Sequence, residues 1–545
     1  MTKQLQLFDS LAIEIYNGTW VDVTNDVLQS PGPTWNRGIM GNKPDDHVGN
    51  SGFLTFTLDN SVNNMAGLAG YYSPGHVNCW AGWTSGLIVR LSFTFEGVPY
   101  YKYYGRIRPD GLDVKPGIYG VRTVEVTCGD FMWRAAQHEL KTLAFATNQR
   151  IGDVVTAVNA NMPIPPLATS IATGVEIFST IFDMTYLRTT ALAEYIKSAM
   201  SEWAYIYVKG DKTGGETLVV ENQNTRTGAT ITNIGKVTSD SGFLLTEDGD
   251  CILSEYAVEG KLVIDEVLAA LFDNIAISGM KTSFGKTQVN RVNSYVYPRR
   301  VDAEATTILW SLEKSFKIEG GTTVTDYRVG YRDPDNPATR VSNIAGTNSS
   351  TTKTATANED GTGEDMSASL VVTADYGTES VIYQLQNTNS TALWVQTLVC
   401  SGKGVYTYDS IQSTRNDATS QAIHGIIPLS LDFKYLTKPD KAQAISDYIL
   451  SREALPRLVP ETYPMWANID GMRMMGFLQL EPGSYATFIE TQTGISKNCF
   501  INGYTATIVN GKYVLWEPIL KDDAGYYTNL FVWDTSAWDG TDVWA

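Results

Sequence analysis

The plainest pattern in the chain is alternation. In "SGFLTFTLDN", Leu54, Phe56 and Leu58 alternate with Thr55, Thr57 and Asp59. In "VRLSFTFEG", Val89, Leu91, Phe93 and Phe95 share one face, and Arg90, Ser92, Thr94 and Glu96 the other. "TVEVTCGD" repeats the pattern with Val124, Val126 and Cys128. A period of two gives each strand one buried and one wet face. Gly97-Val98-Pro99 joins two such runs. Short alternating strands punctuated by turns predict a barrel or sandwich over residues 1–135.

The period then lengthens. Ile151, Val154, Val155 and Val158 fall on one helical face, and Pro163, Pro165 and Pro166 stop the pattern. A second helix has Thr190 as its N-cap and Glu194 in its first turn. Its stripe is Leu192, Tyr195, Ile196, Ala199, Met200 and Trp203. "AYIYVKGDKTGGETLVVEN" follows, two strands around a glycine-rich turn. Residues 136–235 therefore read as a small α+β unit.

Beyond 236 the pattern is weaker. "VNRVNSYVYPRR" is a strand ending at Pro298, and "YRDPDNPATR" is a loop by its prolines and aspartates. Residues 346–365 lack bulky apolar side chains and predict a mobile loop. Strands return in "SASLVVTADYG" and "ALWVQTLVCSGKGVYTY", so 333–425 reads as an inserted β domain. It divides a second region, a barrel or α+β body made of 236–332 and 426–545. There "LTKPDKAQAISDYILSRE" is a helix with Thr437 as cap, Pro439 in the first turn and a stripe of Ala442, Ile445, Tyr448 and Ile449. "YTATIVNGKYVLW" is a hairpin whose Asn510-Gly511 supplies the two positive φ angles of a type I′ turn.

Length and composition fit this picture. At 545 residues the chain exceeds one hydrophobic core, and about three or four domains are expected. Hydrophobic residues make up 43% and aromatics 11%, enough for packed cores. A net charge of −18 should repel a phosphate backbone, which speaks against gripping nucleic acid. Cys79, Cys128, Cys251, Cys400 and Cys499 form no CxxC pair, the pattern of reduced thiols. No basic region followed by an apolar run opens the sequence, and no apolar stretch approaches the length of a membrane span, so neither a signal peptide nor a span is expected.

Candidate chemistry adds little. His47, His76, His138 and His424 lie far apart, with no HxH or HExxH spacing, so no metal is expected. No P-loop, GxSxG or dinucleotide fingerprint is present, and no cofactor is expected. Asp534-Thr535-Ser536 has the lettering of an aspartic-protease loop, but that chemistry needs two such loops, and there is no second copy. No pair of the 59 carboxylates stands out for glycoside hydrolysis. The expectation is a chain that is not an enzyme.

Several stretches, in order, resemble the tail hub proteins of tailed bacteriophages, the tail-tip or baseplate component below the tail tube. They are Arg37-Gly38-Ile39, Ser51-Gly52, "LTFTLDN", Tyr72-Ser73-Pro74-Gly75, Gly105-Arg106-Ile107 and "VEVTCGD"; then Asn290-Arg291-Val292; then "LQNTNSTALWVQTLVCSGKGV", the run Ser420 to Ser451, "ETQTGISKNCFINGYTATI" and the closing "DTSAWDG". The resemblance implies a virion protein, made in the host cytoplasm, mainly β and multidomain. It implies a homotrimer whose protomers each supply two tube-like β-barrels, so that three copies match a six-fold tail tube. The partners implied are the tube and other tail-tip proteins, and the channel is one through which DNA leaves. A host-surface carbohydrate-binding or carbohydrate-cleaving protein is the alternative.

The last residues carry their own expectation. In "FVWDTSAWDGTDVWA", Trp533, Trp538 and Trp544 are five and six positions apart, which fits neither a helical stripe nor strand alternation. Short extended pieces would let each indole enter a separate pocket. Residues 531–545 are therefore a candidate docking strap, packed on its own protomer or on a neighbour.

Overall fold

The structure is a computed structural model. It describes Phe8 and residues 10–522 except Glu96, 118–120, 141–142, 144–145, 183–188, 211–213, 227–228, 230–232, 240–242, 246–250, 254–261, 270, 273–278, 332–339, 344–349, 377–379 and 470. Strands between 230 and 278 are described by backbone alone. Trp533, Trp538 and Trp544 lie outside the described residues.

The protein is mainly β and multidomain. Its largest sheet has 14 strands and draws on both halves of the sequence. The alternating runs become the strands Phe53–Asp59, Ile88–Phe95 and Thr123–Gly129, with Leu54, Phe56, Leu58, Val89, Leu91, Phe93, Val124, Val126 and Cys128 all inward. Val98–Lys115 pairs antiparallel with both Ile88–Phe95 and Thr123–Gly129. The chain after the first hairpin returns to Phe53–Asp59 through a Val27–Leu58 bridge and the Leu28 N–H on the Thr57 carbonyl, curling the N-terminal part of the sheet back on itself.

Thr34–Gly38 is the joint. It pairs with Phe53–Asp59 at Thr34↔Thr55 and Trp35↔Leu54, and with the long strand Ile495–Val509 from Thr34↔Thr507 to Gly38↔Gly503. Ile495–Val509 then forms a hairpin with Tyr513–Lys521, and its turn residues Asn510 and Gly511 have φ of 52° and 68°. One hydrophobic cluster consequently holds Ile13, Trp35, Phe56 and Phe93 together with Phe477, Tyr504 and Trp516. The N-terminal strands and the C-terminal hairpin share a core.

The α+β unit packs a second cluster. The helix Ile151–Asn161 buries Ile151, Val154, Val155 and Val158 as expected, and Thr190 caps Ala191–Glu202 by accepting the Ala193 N–H. The stripe of that helix differs from expectation. Ile196 is 45% exposed, while Glu194 and Glu202 are buried. Each carboxylate is buried because it has partners: Glu194 accepts from Tyr435 and Lys197, and Glu202 accepts the Val175 and Glu176 N–H groups. Satisfied carboxylates can occupy an inward face that a hydrophobicity pattern gives to apolar residues.

The strand Arg291–Val296 pairs antiparallel with Ile411–Asn416 and parallel with Pro428–Phe433, and the helix Pro439–Glu453 covers it with Ala442, Ile445 and Ile449. The helix is capped by Lys438, not Thr437, without a side-chain bond; Pro439 occupies the start and fixes the boundary one residue later.

The inserted domain is larger than the sequence pattern indicated. Its core runs from Leu309 to Cys400, and Thr307–Ser311, Phe316–Ile318 and Thr323–Gly330 pair with strands from 370–402, so it begins well before residue 333. Register shifts between Ile308 and Trp310 and between Val324 and Tyr327 break the period of two there. The segment 346–365, expected to be a mobile loop, is also corrected. Within its described part, Ser350–Thr356 is a strand on Leu393–Gly402, Ala355 is fully buried, and the turn from Ala357 to Glu364 projects. Threonine hydroxyls replace bulky apolar groups on this strand, and threonine is a good β-former.

Candidate assembly junction

Charged residues meet where the two parts of the large sheet join the α+β unit. Trp35 and Arg37 are inward positions of Thr34–Gly38, so Arg37 enters the interior and is fully buried. Its Nη2 donates to the Gly215 carbonyl at 2.6 Å, and its Nη1 lies 3.8 Å from Glu481. Lys102 points inward from Val98–Lys115 and is 1% exposed. Its Nζ donates to the Phe477 carbonyl at 2.8 Å and forms an ion pair with Glu481. Burial pushes the Lys102 ammonium down from its usual value, and Glu481 opposes that shift.

Glu481 follows the helix Gly471–Gln479 and is the node of this arrangement. It also accepts the Gly210 N–H at 2.8 Å and the Tyr504 hydroxyl at 3.2 Å. One carboxylate thus binds groups from the N-terminal strands, the α+β unit and the C-terminal hairpin. Gly210 has to be glycine here, because a Cβ would sit 2.5 Å from the Tyr101 carbonyl and 2.8 Å from Arg37 Nη1.

A second cluster flanks the first. Arg226 pairs with Glu221 at 2.7 Å, donates to Asn502 Oδ1 at 3.0 Å, and stacks 3.6 Å from the centre of the Tyr205 ring. Tyr207 donates to Glu221 at 2.6 Å. His47, 1% exposed, stacks on Tyr205 at 4.4 Å and has the Ala204 and Pro44 carbonyls at its two nitrogens. Burial, with Lys521 adding, pushes His47 down to about 3. Arg134 pairs with Glu216 at 2.8 Å on the far side of Gly215.

The chemistry of these groups is mutual neutralisation. Buried charges persist only when paired and hydrogen-bonded, and the Arg37 and Lys102 pairs with Glu481 bridge separate parts of the fold. Among the described residues no three His, Cys, Asp or Glu side chains gather as a metal ion would require. Among the described residues, no helix is long and apolar enough to cross a membrane. His76, His138 and His424 are not brought together with His47. The sequence reading missed Lys102 and Glu481. Its one local signal was Lys102 itself, a cation among the tyrosines of "YYKYY".

No family model matches the chain, and no curated protein matches it. Among the solved structures that resemble it are three tail proteins, two of them from prophages. One is the 43 kDa tail protein of prophage MuSo2 from Shewanella oneidensis, at 9% identity over 95% of this chain and 100% of that one, with a TM-score of 0.46. A tail protein from Neisseria meningitidis has 10% identity over 95% and 98%, with a TM-score of 0.45. A prophage tail protein from Listeria monocytogenes has 9% identity over 93% and 94%, with a TM-score of 0.38.

Proposed function

We propose that the chain is a virion structural protein, a tail-tip or baseplate hub that assembles as a homotrimer, joins the tail tube to the tip and lines part of the DNA-exit channel. The observation that carries this reading is where the hub-like residues fall. Arg37 enters the buried ion junction; Gly52 lies so close to Asp130 that a Cβ would be 2.4 Å from its carboxylate; Tyr72 donates to the buried Asp26; Asn290 holds the 425–427 turn; Asn502 binds Arg226. These residues build the frame, so the resemblance is one of architecture.

The role requires no catalytic group and no cofactor. An acidic wall suits a channel that must not hold DNA. Trp533, Trp538 and Trp544 are docking residues in this reading, against the protomer's own body or a neighbour. The test is the mass of the purified protein in solution, with an image of the particle. A trimeric ring is expected, alone or on tail-tube protein; a monomer under both conditions overturns the reading. Removing 531–545 then tells the two docking modes apart. Loss of the trimer with the fold intact means docking on a neighbour, and a lower melting point with the trimer intact means docking in cis.

A further inference from the structure

Residues 61–86, "SVNNMAGLAGYYSPGHVNCWAGWTSG", link the strand Phe53–Asp59 to Ile88–Phe95 and contain no Asp, Glu, Lys or Arg. At the chain's charged fraction of 18%, about five charged residues would fall in such a stretch. The segment is nevertheless exposed. Val77 is 92% accessible, Val62 62%, Met65 52% and Leu68 44%. One exposed aliphatic residue needs no explanation, but four on a charge-free loop do.

The loop is held rigidly from below. Asp26, 3% exposed, accepts the Met65 N–H with both oxygens, at 2.8 and 3.0 Å, and the Tyr72 hydroxyl at 2.5 Å. Asn60 accepts the Tyr72 N–H and donates to Ser73, and Asn64 donates to the Ser61 and Leu68 carbonyls. Trp80 lies between Tyr71 and Trp83, with interplanar angles of 12° and 18°. A loop ordered in this way loses little conformational freedom when something covers it. Its accessible face carries Val62, Met65, Leu68 and Val77 and no charge, and charged residues are what interface cores lack.

We propose that this loop is a contact surface for a second copy of this chain. The inference rests on the hub reading and deepens it by naming the surface through which copies meet. Charge decides the occupant. Each copy carries −18, so two copies repel wherever their acidic surfaces approach. At physiological salt, screening limits that repulsion to charges within about 8 Å. A contact through a segment without charges places no carboxylates against each other. A cationic partner, by contrast, would find nothing on the loop to pair with.

Cys79 lies within the loop and is partly accessible, so it reports on the contact in the unaltered protein. The alkylation rate of Cys79, read by peptide mapping so that Cys251 is scored separately, should fall severalfold as concentration drives assembly. A Leu68→Asp/Val77→Asp variant should raise the dissociation constant for self-association at least about tenfold, with far-UV circular dichroism and melting point unchanged. Val371→Asp, on an exposed site of the inserted domain, is the control and should assemble normally. If the wild type assembles while Cys79 stays equally reactive, or if the loop variant assembles as well as wild type, the loop proposal fails and the hub reading stands. If the wild type stays monomeric, with and without tail-tube protein, the hub reading fails and takes this proposal with it.

Discussion

Lys102 and Glu481, 379 positions apart in sequence, form an ion pair inside the protein at the seam between the N-terminal strands and the C-terminal hairpin. Arg37, Gly210 and Tyr504 complete the same node. Replacing Glu481 with leucine removes the countercharge of buried Lys102 and Arg37, and the acceptor of the Lys102 ammonium, the Gly210 amide and the Tyr504 hydroxyl. The expected loss is roughly 3–5 kcal/mol of stability. Glu481→Gln keeps an acceptor oxygen and should lose less. In a double-mutant cycle, Lys102→Met should cost less in the Glu481→Leu background than in the wild type, read from denaturant midpoints. Additive effects would mean that the pair contributes no coupling.

Much of the frame was legible because a one-sided strand must alternate. Leu54, Phe56 and Leu58 could be assigned inward from three letters and a period. The junction was not legible in that way. Whether Lys102 is a surface lysine or a buried clamp depends on Glu481, and nothing local relates residues so far apart. The inward carboxylates Glu194 and Glu202 were hidden for a related reason. Read alone they mark the wet face of a helix, and only their partners, Tyr435 and the Val175–Glu176 backbone, make that face dry.

Gly483 offers a steric test of the same seam. Its φ is +91°, and a Cβ there would stand 1.9 Å from the Tyr207 hydroxyl and 2.8 Å from Glu221 Oε1. Gly483→Ala should therefore destabilise by about 1–3 kcal/mol through backbone strain, with the clash added. Combining it with Tyr207→Phe removes the nearest oxygen and should recover part of the loss, though not the strain. Equal melting points for Gly483→Ala and wild type would show that this approach is not tight.

The pH dependence of stability has two opposing sources. Burial pushes Asp130 and Glu202 up to about 7, from ordinary carboxylate values of 3.8 and 4.5. The folded state then holds protons that the unfolded state has released, so stability rises as pH falls from about 7 towards 4. His47 acts in the other direction. It is pushed down to about 3 from 6.5, so below pH 6.5 the unfolded chain takes up a proton that the folded one refuses, and stability falls. Asp130→Asn keeps a capping oxygen for the Trp133 N–H and should flatten the rise between pH 8 and 5. His47→Phe should reduce the fall below pH 6.5. Melting curves from pH 8 to 4 read both slopes, and unchanged slopes would place the titrating groups elsewhere.

The inserted domain separates a strand from a loop within one low-complexity segment. Loop shortening is cheap because closure entropy varies only logarithmically with length. Trimming residues 359–363, at the exposed tip of the 357–364 turn, should therefore leave the melting point nearly unchanged. Deleting 350–356 is a different matter. That strand pairs with Leu393–Gly402 along its whole length, seats Ala355 in the core and carries Lys353, whose ammonium donates to the Leu370 carbonyl. Its removal exposes Val395 and Leu398 along one edge of their sheet. Protease cleavage within 299–407 should then become rapid, while the large sheet, whose core includes no residue of the insertion, keeps its own transition. Cleavage at the wild-type rate would show that 350–356 contributes nothing to the packing of the inserted domain. Loss of the large sheet's transition as well would show that the two cores unfold as one.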